Sequence, residues 1–154
     1  GGVLAAGAIT RLMSGKTDVI QMLNGAIGGL VAITAEPLMP SPLAAILIGA
    51  IGGIIVVFGT KLLFSLKIDD VVGAVPAHLF AGIWGTLAVP LTNGDASFGA
   101  QLLGVISINA FVFVVSLIVW GIMKGTMGIR LSKEAERLGT DVTESGVIAY
   151  AIRD

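Results

Sequence analysis

Cysteine is absent from this sequence of 154 residues. Neither a disulfide framework nor thiolate chemistry can be built from it. Histidine occurs once, which excludes a multi-histidine metal site within the chain. Charge is scarce: Asp, Glu, Lys and Arg make up 12% of the residues, about half the share found in a soluble domain. A water-soluble fold of this size would have too few charges to cover its surface. The net charge of −1 offers no basic balance for nucleic acid. The chain also lacks a nucleophile–base pair, a metal-ligand cluster and a phosphate-binding glycine loop ending in Lys-Ser/Thr. It therefore does not read as an enzyme, and no cofactor is expected.

The most informative absence is local. Residues 17–60 and 68–123 contain no Lys or Arg. The nine basic residues fall in three clusters: Arg11 with Lys16, Lys61 with Lys67, and Lys124 through Arg153. One membrane crossing takes about 20 residues, so each basic-free stretch has room for two crossings and a turn. Two crossings return the chain to the side it left. All basic residues then share one face, which the positive-inside rule makes the cytoplasm.

What is abundant agrees with this. The chain is 55% hydrophobic and holds 22 glycines. In lipid, small residues at helical spacing let backbones approach closely. The apolar run 1–14 is too short to span and reads as the end of a helix entered part-way. Four spans follow, at about 18–35, 43–64, 71–91 and 98–123, joined by short loops within 15–128. Gly25, Gly28 and Gly29 line one face of the first, and Gly49, Gly52, Gly53 and Gly59 one face of the second. Pro37, Pro40 and Pro42 make a rigid outer turn. The last span exceeds the hydrocarbon thickness and should tilt or project. The charged remainder, 129–154, reads as a cytoplasmic tail. In it Ser132 is an N-cap candidate for a short helix with Glu134 and Glu136 in its first turn.

His78 is the one ionisable side chain well inside any span. Such groups are costly in a membrane and face a cavity or a polar partner. A neutral imidazole carries one N–H donor and one bare acceptor, so it can pass a proton without holding a fixed charge. Asn24 and Thr34 are polar positions suited to interhelical hydrogen bonds, or to a pore wall. Trp84 has the position of an interfacial anchor, with a pore aromatic as the other reading.

Three blocks carry a resemblance: NGAIGGLVAITA (24–35), KIDDVVGAVPAHLFAGIWGTL (67–87) and GIRLSKEAERLGTDVTESGVIAY (128–150). Together they resemble the ammonium transporter (Amt/Mep/Rh) family over essentially the whole chain. Their order matches the end of helix 7, helices 8 to 11 and the cytoplasmic tail of that fold. The resemblance implies an all-α membrane protein: the C-terminal portion of an eleven-helix transporter built from inverted halves. It also implies a homotrimer in the cell (inner) membrane, with ammonium or ammonia as substrate and a pore in each subunit. His78 matches the second of the family's two pore histidines; the other belongs to the first half of the fold. The tail, with Arg130, Glu134, Asp141 and Tyr150, would be a regulatory element that helps a PII-type signalling protein bind. The chain departs from the pattern at Gly73, where many members carry Asp, at Thr140 in place of Leu, and at Ser145 in place of His. The tail motivates a second reading of different class, a membrane-embedded ammonium sensor or interaction module.

Overall fold

The computed structural model describes residues 1–149. It is helical throughout, with no strand among the described residues. It divides into two units, residues 1–109 and 110–154.

The first unit begins with α1 (Gly2–Ser14), α2 (Val19–Ile33) and α3 (Pro42–Ser65). Local chemistry sets their limits. The Asp18 carboxylate accepts the Gln21 N–H at 3.0 Å and caps α2. The Ser41 hydroxyl accepts the Ala44 N–H at 3.3 Å and caps α3, whose first residue, Pro42, sits where no N–H is needed. After α3 comes α4, a composite element: a π turn over Val75–Phe80, α-helix over Ala81–Ala88 and a 3₁₀ turn over Val89–Leu91. Then α5 (Phe98–Thr126) starts from Ser97, whose hydroxyl accepts the Ala100 N–H at 3.2 Å.

Packing here reverses the soluble pattern. The buried residues of α2 are Asn24, Gly25, Gly28, Gly29 and Ala32, one small-residue stripe. Its large apolar side chains point away: Leu23 is 63% and Leu30 67% exposed. Backbones touch where the glycines meet. A Cβ on Gly25 would lie 2.5 Å from the Ala6 methyl of α1, and one on Gly53 of α3 would fall onto the Gly2 carbonyl. On the other flank, Gly85 of α4 lies against the Ala32 carbonyl of α2. The helices pack by fit between backbones, the mode expected where lipid removes any hydrophobic drive to associate.

Two hydrogen-bonded contacts mark opposite ends of this bundle. At one end, Thr60 of α3 donates to the Gln21 side chain of α2 at 3.4 Å, beside Lys61. At the other, Asn93 donates to Glu36 at 3.0 Å, which ties the α2–α3 connection to the α4–α5 connection. Helices α3 (24 residues) and α5 (29 residues) are long and apolar enough to cross a membrane. Helices α2, at 15 residues, and α4, over Val75–Leu91, are shorter apolar elements. Where an apolar start at Val71 was expected, Val71–Gly73 form a turn and α4 begins about four residues later.

The second unit holds the remainder of α5, then α6 (Lys133–Leu138) and α7 (Thr140–Thr143). Ser132 caps α6 by accepting the Ala135 N–H at 3.1 Å, with Glu134 and Glu136 in the first turn. Arg130 forms a forked pair with Glu136, at 2.6 and 3.1 Å.

Gly53→Val is expected to lower the unfolding stability of the purified protein in detergent by about 1–3 kcal/mol, the usual range for overpacking. Gly82→Ala, whose new methyl would meet Val31 at an ordinary 3.6 Å, should unfold as the parent does. Equal stability of the two variants would contradict the packing described.

Candidate functional site

The site is built around the entry to α4. Asp70 ends the preceding loop, and its two carboxylate oxygens accept the N–H groups of Ala74 and Val75, each at 2.9 Å. These are orphan donors of a helix start, and the carboxylate satisfies them. Gly73, between cap and helix, has φ +74°, a left-handed conformation that favours glycine. A Cβ there would also come 2.5 Å from the Asn24 amide nitrogen. Asn24 is buried in α2 and donates to the Val72 carbonyl at 2.9 Å. The loop leading to the histidine is thus fixed twice, by Asp70 within it and by Asn24 from α2. An aspartate at position 73 would be strained by that φ and would require the Asn24 amide to shift.

The chain next enters the π turn. The Ala81 N–H reaches the Pro76 carbonyl, five residues back, as well as that of His78. π turns are rare and are found mostly as single insertions at functional sites. Pro76 and Ala77 are buried, whereas His78 is exposed and opens into a groove of about 310 Å³. Leu79 and Ile83 of α4, with Val105 and Ile108 of α5, supply its apolar walls. Thr86, Gln101 and Asn109 add neutral polar groups. Asn109 spends its amide N–H on its own helix, at the Val105 carbonyl 2.7 Å away. Among the described residues, no carboxylate, ammonium or guanidinium lines the groove. Chemically, one imidazole offers a donor and an acceptor in a groove otherwise lined by apolar and neutral polar groups.

The other sequence candidates lie elsewhere. Thr34 is exposed at the C-terminal end of α2 and donates within its own helix, to the Val31 carbonyl at 2.7 Å. Trp84 turns its indole toward α3, where its N–H donates to the Ile48 carbonyl at 3.0 Å. It packs against the small cluster of Ala32, Ile48 and Ala88. Neither Thr34 nor Trp84 lines the groove with His78. Asp70, Gln101 and Asn109 were not singled out as site residues. Asp70 could have been read as a cap, but the groove neighbours depend on tertiary placement that no local signal carries.

In the second unit, Arg130 is held above its ordinary pKa and Glu136 below its own, each chiefly through their shared hydrogen bond. The Asp141 carboxylate accepts the Ala149 N–H at 2.9 Å, and that bond, first among its causes, holds its pKa below the ordinary value. Glu134 stands in the first turn of α6. Tyr150 lies outside the described residues.

An all-helical bundle with glycine seams, outward apolar side chains and a lone imidazole in an apolar groove defines a membrane protein with a polar point inside its apolar layer. Comparison with known proteins makes that specific. The model of the Ammonium Transporter Family matches residues 1–150, and the chain belongs to that family. It is similar to the ammonium transporter Amt2 of Archaeoglobus fulgidus, with 37% identity over 97% of this chain and 36% of the relative. It is also similar to the ammonium transporter Amt1 of Methanocaldococcus jannaschii, with 33% identity over 96% of the chain and 40% of the relative. A plant relative, ammonium transporter 1 member 1 of Arabidopsis thaliana, is 30% identical over 94% of the chain and 33% of its own length. The chain spans about a third of the length of these curated relatives.

Loss of either tie to the α4 entry should be measurable. In detergent unfolding, Asp70→Ala is expected to cost about 0.5–2 kcal/mol, as for other N-caps. Asn24→Leu, which leaves the Val72 carbonyl without its donor, should cost about 1–3 kcal/mol. Parental stability in both would remove the two-point anchoring. A separate test concerns pH. Because folding lowers the Asp141 pKa, its contribution is present above the unfolded value of about 3.9 and fades as pH falls through the folded one. An NMR titration of the Asp141 carboxyl should give a midpoint below the ordinary value. A midpoint at or above it would show that the bond to Ala149 does not persist in solution.

Proposed function

We propose that this chain forms part of a transporter that moves ammonium or ammonia across the cell membrane, through an apolar pore with His78 in its wall. The observation that carries the reading is the histidine itself. A lone ionisable side chain within an apolar segment opens into a groove whose other lining residues are apolar or neutral. Membership of the ammonium transporter family supports it, as do the names of the relatives.

The mechanism follows from the cost of charge. A cation crossing an apolar bore loses its hydration and finds little to replace it. Ammonium has a way out that potassium lacks: it can give up a proton and cross as neutral ammonia. An imidazole suits the proton's side of that exchange, since it accepts at one nitrogen while it holds a proton on the other. The walls supply no fixed charge among the described residues, which penalises any ion that cannot be neutralised. Recruitment of the cation at an outer aromatic vestibule by cation–π contact would belong to the rest of the fold.

The topology belongs to the same proposal. The basic loops and tail face the cytoplasm, the Glu36–Asn93 contact lies at the outer face, and three copies associate. The tail is the docking point for a PII-type regulator. Its capped α6, its Arg130–Glu136 pair and the bond from Ala149 to Asp141 support a recognisable surface. The same order supports the second reading, a sensor that signals through this segment. Deleting 129–154 separates the two: unchanged uptake with loss of a cytoplasmic partner favours the sensor, and lost uptake favours transport under tail control.

In the full-length protein, His78→Ala is expected to cut uptake of labelled methylammonium by about 10²–10⁴-fold, the range of a positioned proton-transfer group. Assembly of the purified protein should be retained. Wild-type uptake by this variant would remove His78 from the mechanism.

A further inference from the structure

We infer that Gly59 of α3 is a positioning residue for His78, acting through the two side chains that anchor the π turn. The inference rests on the reading of His78 as a pore residue. Pro76 and Phe80 each lie two positions from His78, roughly half a turn in either α or π geometry, so they point to roughly the opposite side of α4. That side meets α3. A Cβ placed on Gly59 would come 2.6 Å from Cδ2 and 3.1 Å from Cε2 of the Phe80 ring, and 3.1 Å from Cβ of Pro76. Pro76 is one of the two largest fully buried side chains among the described residues. The missing side chain at 59 is therefore a notch that receives both anchors.

What the notch controls is the turn between them. Pro76 supplies the carbonyl that accepts the Ala81 N–H across five residues, and Phe80 is the last residue of the π segment. Displacing either anchor offers the backbone a return to ordinary helix, which drops the extra residue from the turn. His78 would then swing around the axis and away from the groove, although no atom near it had been altered. A ring held at its Cδ2 and Cε2 edge cannot yield as the free end of a long side chain can, so the strain passes to the backbone. Among the described residues, no other titratable side chain lines the groove, and α3 presents the uncharged Gly59 notch on the opposite face. A displaced pH profile of uptake, compared with that of His78→Ala, is therefore a readout that loss of packing alone would not move.

The test uses the full-length transporter with four variants: Gly59→Ala, Phe80→Ala, the double variant and His78→Ala. Uptake of labelled methylammonium is measured across pH, with size-exclusion chromatography for assembly. Gly59→Ala is expected to assemble normally, to lose uptake by up to about a hundredfold, as small misplacements do, and to displace the pH profile. Removing the ring should make room for the new methyl, so the double variant should return to the level and profile of Phe80→Ala alone. Should Gly59→Ala fail to assemble, Phe80→Ala carries the test, because loss of that anchor should displace the pH profile by itself. An unchanged profile in whichever variant assembles overturns the inference, as does a double variant more impaired than Phe80→Ala alone. If that happens while His78→Ala abolishes uptake, the pore reading survives and only the role of Gly59 falls. Wild-type uptake by His78→Ala overturns both.

Discussion

Close contact between helix backbones at glycine is the constraint from which the rest of this structure follows. Gly2 of α1, Gly25, Gly28 and Gly29 of α2, and Gly52 and Gly53 of α3 meet where added side chains would strike backbone or methyl groups. Such contact brings many atoms within dispersion range and costs little side-chain entropy on assembly. It also decides where everything else goes. With small residues spent on the seam, most of the large apolar side chains of α2, α3 and α5 point outward, Ile48 and Leu63 of α3 being buried exceptions. A soluble protein could not tolerate that surface. In a bilayer it is the side that faces lipid or neighbouring helices.

The seam serves the site by holding α2 and α3 close enough to act on α4. From α2, Asn24 reaches the Val72 carbonyl; from α3, Gly59 admits Pro76 and Phe80. On the far flank, the Trp84 indole bonds to α3 and Gly85 meets the Ala32 carbonyl. The element carrying the histidine is thus held at its entry, at its turn and along its length. That degree of fixation is consistent with a group whose value lies in its direction as much as in its chemistry. It also explains how an irregular turn persists: its altered hydrogen bonding lies in a helix surrounded by rigid contacts rather than in one free to relax.

Much of this was legible in the order of residues, for identifiable reasons. The basic-free stretches mark apolar helices because charge cannot lie in a bilayer core, and helices satisfy their own backbone groups there. The caps Asp18, Ser41 and Ser132 explain where helices begin. The all-helical class, the glycine faces and the membership of the ammonium transporter family could all be read this way. The start of α4 could not. Val71 and Val72 are apolar and invite a helix, but Asp70 captures the N–H groups of Ala74 and Val75 and delays it. The π turn was equally hidden, since hydropathy does not distinguish one turn type from another. For Asn24 the residue type suggested an interhelical bond, yet its acceptor is a loop carbonyl 48 positions away, which periodicity cannot identify. Thr34 has the same polarity but keeps its bond within its own helix. Which polar group reaches across depends on the face it occupies, and one register step separates the two outcomes.

Gly73 links these levels. The family's acidic residue is missing there, and a reading by pattern alone treats that as a lost function. The geometry gives another account. With φ at +74° and the Asn24 amide 2.5 Å from where a Cβ would lie, any side chain there is strained and displaces Asn24, while Asp70, three residues earlier, already caps the helix. A carboxylate therefore still stands at the entry to the histidine helix, held by two backbone N–H groups at 2.9 Å rather than presented to the groove. An acid bound in this way orders the backbone and leaves the groove without fixed negative charge. On the proposed reading of the groove as a pore wall, an unpaired carboxylate there would favour cations that cannot give up a proton. Keeping the acid on the backbone and the imidazole in the groove separates the task of holding the helix from the proton transfer proposed for His78.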